Sequence, residues 1–128
     1  MKIIGCNKDL SNYSLNFVDV KNVFVGFNTE QSCCEDVGYF FSDVSGEKLE
    51  LSDEVLDEYV FDVSYSKVEF DNQKYDEGGC VKFKLFNPEN KILYLTLYNS
   101  HNGYYSHGFV FSNGNSVISD GWLWIKTL

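Results

Sequence analysis

Apolar and polar residues alternate along much of the sequence, and this alternation constrains the fold more than any other feature. The clearest case is segment 81–85, in which two lysines separate Val81, Phe83 and Leu85. A period of two places the apolar side chains on one face of a β-strand and the lysines on the other. Segment 92–98 is apolar at nearly every position, which is typical of a strand buried on both faces in the middle of a sheet. The chain is therefore predicted to be mainly β.

Strands are predicted along most of the chain. They cover residues 2–6, 13–20, 22–27, 36–42, 58–71, 81–85, 92–98, 105–111 and 116–127. In segment 58–71 the apolar phase shifts after Lys67, as one inserted residue would cause, and this predicts a β-bulge there. Asn102-Gly103 and Asn113-Gly114 favour hairpin turns, because both residue types tolerate positive φ. The last four strands are expected to form one antiparallel meander.

One short helix is expected after Leu51. Ser52 has the side chain of an N-cap, and Asp53 and Glu54 follow in the first turn, where carboxylates interact favourably with the helix dipole. A chain of 128 residues fits a single domain, residues 1–128, with a core of its own. The fold class is thus predicted as mainly β: an antiparallel β-sandwich or strongly curved sheet with one short helix.

Negative charge is concentrated in the middle of the chain. The sequence has 19 acidic residues, ten lysines and no arginine, which gives a formal charge of −9. Residues 30–77 hold 15 of the acids and three of the lysines, whereas the rest of the chain holds four acids and seven lysines. Binding to duplex nucleic acid is disfavoured, because phosphates are usually bound by basic side chains and above all by arginine. The asymmetry instead predicts one acidic face.

The densest acidic stretch is the candidate partner-binding surface. Its seven carboxylates are Glu47, Glu50, Asp53, Glu54, Asp57, Glu58 and Asp62. Spaced carboxylates can imitate a phosphate backbone and occupy the basic groove of a nucleic-acid-binding protein, with charge steering the encounter. The same residues could equally form a solvated face that only keeps the protein soluble.

Aromatic residues are unusually frequent, with 11 Phe, 9 Tyr and 2 Trp. One alternative is that this surplus simply builds the core. Another is a ligand-binding β module, in which exposed Tyr and Trp rings bind sugars or nucleotides by stacking.

Cysteine and histidine residues raise a further alternative, a small thiol- or metal-dependent enzyme. Cys33 and Cys34 are adjacent, and neighbouring residues on a strand point to opposite faces, so the two thiols cannot hold one ion without a kink. His101 and His107 lack the CxxC or HExxH spacing that would make metal binding specific. We therefore expect no metal, no cofactor and no enzymatic activity. His107 is interpreted as a hydrogen-bonded core histidine.

Two short motifs resemble those of a small uncharacterised protein family. The motifs are Cys33-Cys34-Glu35 and Asn102-Gly103-Tyr104-Tyr105-Ser106. Together they resemble a family encoded largely by bacteriophages and prophages, over roughly residues 30–112, although Ser32 stands where an acidic residue is usual. The resemblance implies a viral or mobile-element protein acting inside a bacterium, and it assigns no catalytic role. The matching residues are expected to be structural, with Asn102-Gly103 setting a turn.

The leading functional hypothesis combines the acidic stretch with this resemblance. We expect a small cytoplasmic protein, acting in a bacterial host cell, that binds and inhibits a host defence or nucleic-acid-handling protein through an acidic, aromatic-flanked surface. No apolar run approaches the ~18 residues of a membrane span, so no membrane association is expected. Homo-oligomerisation is left open, since an all-β chain exposes edge strands, which Lys82, Lys84 and Lys91 could protect.

Overall fold

The computed structural model describes residues 1–6, 8–29, 36–70, 79–100 and 107–123. The elements in these ranges are β1 Lys2–Ile4, β2 Leu15–Val18, β3 Val23–Phe27, β4 Asp36–Ser42, β5 Lys48–Leu49, α1 Asp53–Leu56, β6 Val60–Phe70, β7 Gly79–Phe86, β8 Ile92–Ser100, β9 His107–Asn113 and β10 Ser116–Leu123. The strands form two five-stranded antiparallel sheets, in the orders β1-β2-β3-β9-β10 and β5-β4-β8-β7-β6. The predicted antiparallel β-sandwich with one short helix is therefore confirmed.

Aromatic rings from both sheets fill the space between them. The ring centroid of Phe83 on β7 lies 4.9 Å from that of Phe111 and 6.1 Å from that of Phe109, both on β9. Elsewhere in the interior, Phe17 on β2 meets Phe41 on β4 at 6.4 Å. All five side chains are buried. Much of the phenylalanine in the aromatic surplus therefore builds the core.

One buried carboxylate joins the two sheets. Asp19, in the tight connection between β2 and β3, is only 6% exposed. Its Oδ1 accepts hydrogen bonds from the amides of Lys21 (2.8 Å) and Val23 (3.0 Å), and its Oδ2 accepts one from the amide of Phe61 on β6 (3.0 Å). Because β3 and β6 belong to different sheets, this carboxylate helps to fix their relative position.

The connection between β1 and β2 covers the outer face of β3. All five residues of β3 are buried, including Phe24, which alternates with core residues and so points to the outer face. Ser11 and Tyr13 lie against Gly26, where a Cβ atom would come within 2.8 Å of Ser11 Oγ and 3.1 Å of the Tyr13 ring. The absence of a side chain at Gly26 thus lets the connection pack closely on the sheet.

Gly26→Ala is expected to lower the free energy of unfolding by about 1–3 kcal/mol, because the added methyl group must displace Ser11 or Tyr13. Gly5→Ala is the matched control in the same connection, since the one atom of the described residues that its Cβ would meet, the carbonyl oxygen of Ser14, lies 4.0 Å away. The control is expected to change the stability by less than about 0.5 kcal/mol. Urea denaturation of both variants measures the difference, and equal effects would contradict the close packing described at Gly26.

The β-bulge in β6 lies earlier than predicted. The register with β7 shifts between Phe61 and Ser66 rather than after Lys67. Within this stretch, Oδ1 of Asp62 accepts hydrogen bonds from both the amide (2.9 Å) and the hydroxyl (2.6 Å) of Ser64. Such local side-chain bonds compete with the ladder between strands, and this accounts for the position of the irregularity.

The last four strands do not form the predicted meander. β7 pairs with β8 in the second sheet and β9 pairs with β10 in the first, so the chain crosses between sheets after β8. The central position predicted for segment 92–98 is confirmed, because β8 lies between β4 and β7. Lys82 and Lys84 lie on β7, which is an interior strand, and Lys91 lies in the turn that follows it. The prediction that Lys82 and Lys84 protect a sheet edge was therefore wrong.

Capping and turn chemistry explain the helix and the last hairpin. Ser52 Oγ accepts a hydrogen bond from the amide of Val55 (3.3 Å), which confirms the predicted N-cap of α1. In the hairpin between β9 and β10, the positive φ of 61° belongs to Gly114. Asn113 is still part of β9, so the turn begins one residue later than the predicted dipeptide.

Candidate functional site

An open groove lies where β1, the β4–β5 hairpin and α1 meet. Its volume is about 760 Å³. We call it the acidic groove, and its lining residues are Ile3, Tyr39, Phe40, Phe41, Lys48, Leu49, Glu50, Leu51, Asp53 and Leu56. The lining thus combines a largely apolar floor with charged residues from β5 and α1.

The floor of the acidic groove is held by the core. Leu49 and Leu51 are partly buried and pack against the core, and the exposed side chain of Glu50 stands between them. Tyr39 is 37% exposed, and its ring stands edge-on to the ring of Phe17 at a centroid distance of 5.0 Å. An aromatic ring that is both exposed and fixed in this way can bind an apolar group of a partner with little loss of entropy.

The short helix places carboxylates beside this floor. Asp53 lies in the first turn of α1, and Asp57 is its C-cap residue. Residues four apart lie on one side of a helix. Accordingly, Asp53 and Asp57 together line a smaller cavity of about 240 Å³ beside β1, while Asp53 also lines the acidic groove. The two cavities therefore share one carboxylate.

The N-terminal ammonium group holds β1 against the end of α1. Met1 is buried, and its ammonium donates hydrogen bonds to the carbonyl oxygens of Leu56 (2.7 Å) and Tyr59 (3.2 Å). Burial lowers the pKa of this ammonium, and nearby carboxylates oppose the shift. Ile3, two residues along the chain, thereby becomes one wall of the acidic groove.

Five of the seven predicted carboxylates lie in the segment that borders the groove. Glu50 and Asp53 share the groove itself, and Asp57 lies on the adjoining cavity. Glu54 lies in α1 and Glu58 in the turn that follows it, and both side chains are exposed. These five carboxylates thus lie within residues 50–58, a stretch that runs from just after β5 through α1 to the turn that follows it.

The other two predicted carboxylates do not line the acidic groove. Glu47 is exposed in the connection between β4 and β5. Asp62 lies on β6, where hydrogen bonds from Ser64 lower its pKa and the charge of Lys84 adds to the shift. Five of the seven predicted carboxylates therefore border the acidic groove, and the other two lie elsewhere.

Among the described residues, the two carboxylates that line the groove have no ion-pair partner. In the described part of the chain, no lysine forms an ion pair with Glu50 or Asp53. Lys48 lines the same groove, but its ammonium lies over the ring of Phe40, 4.6 Å from the ring centroid. This cation–π contact gives the ammonium of Lys48 an interaction partner within the protein. The negative charge at the rim is therefore available to a partner.

The residues of the two sequence motifs lie outside the described residues. They are Cys33, Cys34, Glu35, Asn102, Gly103, Tyr104, Tyr105 and Ser106, and His101 lies outside as well. His107 is described: it is buried, and its Nδ1 lies 2.9 Å from the carbonyl oxygen of Asn28. Since a carbonyl oxygen only accepts, Nδ1 carries the proton. The interpretation of His107 as a hydrogen-bonded core histidine is confirmed.

Metal-ligating side chains do not cluster within the described ranges. No group of three or more His, Cys, Asp or Glu residues there could hold a metal ion. Of the cysteines in those ranges, Cys6 is exposed and Cys80 is buried, and neither forms a disulfide. The same ranges contain no helix that is long and apolar enough to cross a membrane.

The sequence located the charges of the groove but not its floor. Leu49 and Leu51 were not among the predicted site residues. The signal that could have located them is the alternation of Leu49, Glu50 and Leu51, which continues a strand pattern next to the acidic segment. Ile3 could not have been placed there, since it joins the groove only through long-range packing of β1 on α1.

The fold and this site together define an antiparallel β-sandwich with an acid-rimmed, apolar-floored groove. The family model of a domain of unknown function (DUF7448) matches residues 1–111, and the chain therefore belongs to that family. The matched region includes β1, β4, β5 and α1, which together form the acidic groove. No curated protein and no solved structure matches the chain significantly.

Proposed function

We propose that the protein binds another protein by receiving a segment with basic and apolar side chains in the acidic groove. The observation that carries this proposal is that Glu50 and Asp53, neither of which forms an ion pair within the described part of the chain, lie at one place with the exposed ring of Tyr39. The carboxylates attract lysine or arginine, and the floor accepts the apolar side chains between them.

Charge and apolar contact have separate roles in this proposal. A formal charge of −9 attracts a basic partner over long range and speeds the encounter. Exposed charges alone contribute little to affinity, because water and salt screen them. Burial of apolar side chains against Tyr39, Leu49 and Leu51 is therefore needed to hold the partner.

The sequence resemblance suggests where such a partner is found. A phage- or prophage-encoded protein acts inside a bacterium, so the partner would be a host protein, either a defence factor or one that handles nucleic acid. Basic surfaces of such proteins bind phosphate backbones. A chain that occupies such a surface with carboxylates would inhibit its partner by competition.

Capture from a bacterial lysate with matched variants tests the proposal. The immobilised protein is compared with Glu50→Lys, which reverses a charge in the acidic groove. The control is Glu89→Lys, which reverses an exposed charge in the β7–β8 turn. Mass spectrometry identifies and quantifies the bound proteins. We expect a specific bacterial protein to be captured by the wild type and the control, and Glu50→Lys to capture at least roughly tenfold less.

Salt and nucleic acid provide the second half of this test. Raised ionic strength is expected to weaken capture, since it screens the charges that steer the partner. If the captured protein binds nucleic acid, the chain is expected to displace the nucleic acid. Capture that is equal for Glu50→Lys and wild type would contradict the proposed site, and the absence of any basic partner would contradict the proposed function.

A further inference from the structure

We infer a second binding site, for a small uncharged ligand rich in hydroxyl groups such as a saccharide, between the β1–β2 connection and the outer face of the first sheet. The cavity there has a volume of about 750 Å³. This lies within the range of roughly 300–1,000 Å³ that is typical of small-molecule sites. We call it the loop cavity, and none of its described lining residues also lines the acidic groove. The inference is independent of the proposed function.

The loop cavity is pre-formed by a buried asparagine. Asn16 on β2 is 0% exposed. Its Nδ2 donates to the carbonyl oxygens of Gly5 (2.9 Å) and Tyr13 (3.1 Å), and its Oδ1 accepts from the hydroxyl of Ser11 (2.6 Å). One side chain therefore fastens both ends of the connection to the sheet. Because Gly26 has no side chain, Ser11 and Tyr13 pack directly on β3, and this contact fixes the position of the connection relative to the sheet.

The lining combines an aromatic and apolar surface with polar groups that are mostly uncharged. Val110 and Val117 provide apolar surface beside the buried ring of Phe24, and Tyr13 stands at the covering connection. The polar side chains in the lining are Ser11, Asn12, Ser14, Asn28, Ser112, Asn115 and Asp120. The lining contains one carboxylate and, among the described residues, no lysine. A sugar ring, which has apolar C–H faces and a rim of hydroxyl groups, matches such a surface.

Tyr13 and Asp120, which both line the loop cavity, favour an uncharged ligand over an anionic one. Burial raises the pKa of Tyr13, and the charge of Asp120 adds to the shift. The phenol can donate a hydrogen bond to a ligand, and the carboxylate can accept one. Sugar hydroxyl groups both donate and accept, so they can pair with either group. A phosphate or carboxylate ligand would be repelled by Asp120, and the described residues of the lining offer it no basic side chain.

Cys6 provides a direct reporter for this site. Its thiol is exposed and lines the loop cavity. The rate of alkylation of Cys6 by iodoacetamide is measured by mass spectrometry of the peptide that contains it. The probes are glucose, galactose, N-acetylglucosamine and ribose as neutral sugars, with glucosamine and glucose 6-phosphate as charged analogues of glucose.

At saturation, at least one neutral sugar is expected to slow the alkylation of Cys6 by roughly tenfold, whereas glucose 6-phosphate leaves the rate unchanged. Tyr13→Phe and Asp120→Asn are each expected to weaken the protection by roughly tenfold, because each removes one hydrogen-bonding group from the ligand. Glu89→Lys changes a residue of the β7–β8 turn that does not line the cavity, so this variant should bind as wild type does. Unchanged thermal melting of each variant shows that its fold is retained.

Three results would overturn the inference. The first is that no neutral sugar protects Cys6, and the second is that glucose 6-phosphate protects it as well as glucose does. The third is protection that persists undiminished in both Tyr13→Phe and Asp120→Asn. None of these results bears on the acidic groove, because its test measures capture of a protein and uses a different variant.

Discussion

Asp19→Ala is expected to lower the free energy of unfolding by about 3–5 kcal/mol, because it leaves three backbone amides without their acceptor. The amides belong to Lys21, Val23 and Phe61, and the carboxylate that accepts from them is only 6% exposed. The loss is large because the bond to Phe61 joins the two sheets, so water cannot replace it without opening the sandwich. Urea denaturation measures the effect.

Two further variants separate the hydrogen bonds of Asp19 from its charge. Asp19→Asn keeps one acceptor oxygen, so it should lose less stability than Asp19→Ala. Glu89→Gln removes a carboxylate that forms only a surface ion pair with Lys91 at 3.8 Å, and its cost is expected to stay below about 1 kcal/mol. A loss for Asp19→Ala as small as that for Glu89→Gln would show that Asp19 does not join the sheets.

Phe83→Ala is expected to lower the free energy of unfolding by about 3–5 kcal/mol, the typical cost of removing a large aromatic side chain from a packed core. Phe83 is fully buried on the interior strand β7. Its ring contacts those of Phe61, Phe109 and Phe111, which come from both sheets. The substitution therefore leaves a cavity at the centre of the sandwich that the strands around it cannot close.

Phe40→Ala is the matched control for this prediction. Phe40 lies on β4 of the same sheet and is partly exposed, and it contacts Tyr98 and the ammonium of Lys48. Its removal is expected to cost clearly less, about 1–2 kcal/mol, since part of its surface is already in water. Equal losses for the two variants in urea denaturation would contradict the assignment of Phe83 to the centre of the core.

The strand-rich architecture could be predicted from the sequence, because apolar residues that alternate with a period of two mark β-strands. The alternation of Val81, Phe83 and Leu85 is reproduced by their burial on β7, and the doubly apolar segment 92–98 becomes the central strand β8. The N-cap at Ser52 was also predicted, because a cap depends only on residues within one turn.

Features that depend on side-chain hydrogen bonds or on distant pairing were not predicted. The strand predicted over 13–20 ends at Val18, because Asp19 turns the chain by accepting from amides that follow it. The irregularity of β6 was misplaced for a similar reason, since Asp62 bonds to Ser64. The return of β9 to the first sheet could not be deduced, because no local pattern states which strand a given strand will pair with.

The sequence predicted the acidic residues of the candidate site but not the groove that they border. Charge is a property of the sequence itself, so Glu50, Asp53 and Asp57 could be named in advance. The groove between them depends on β1, which is held in place by hydrogen bonds from Met1 to residues far along the chain. The loop cavity likewise depends on contacts between Gly26 and the connection that covers it.

The most direct test of the acidic groove is a titration of the captured partner, once purified, against the wild type, Glu50→Lys and Glu89→Lys over a series of salt concentrations. We expect the affinity of the wild type to fall as salt rises, and Glu89→Lys to behave in the same way. Glu50→Lys should bind at least roughly tenfold more weakly at low salt, with a smaller dependence on salt. Equal affinities and equal salt dependence for the two variants would contradict the claim that the acidic groove is the binding site.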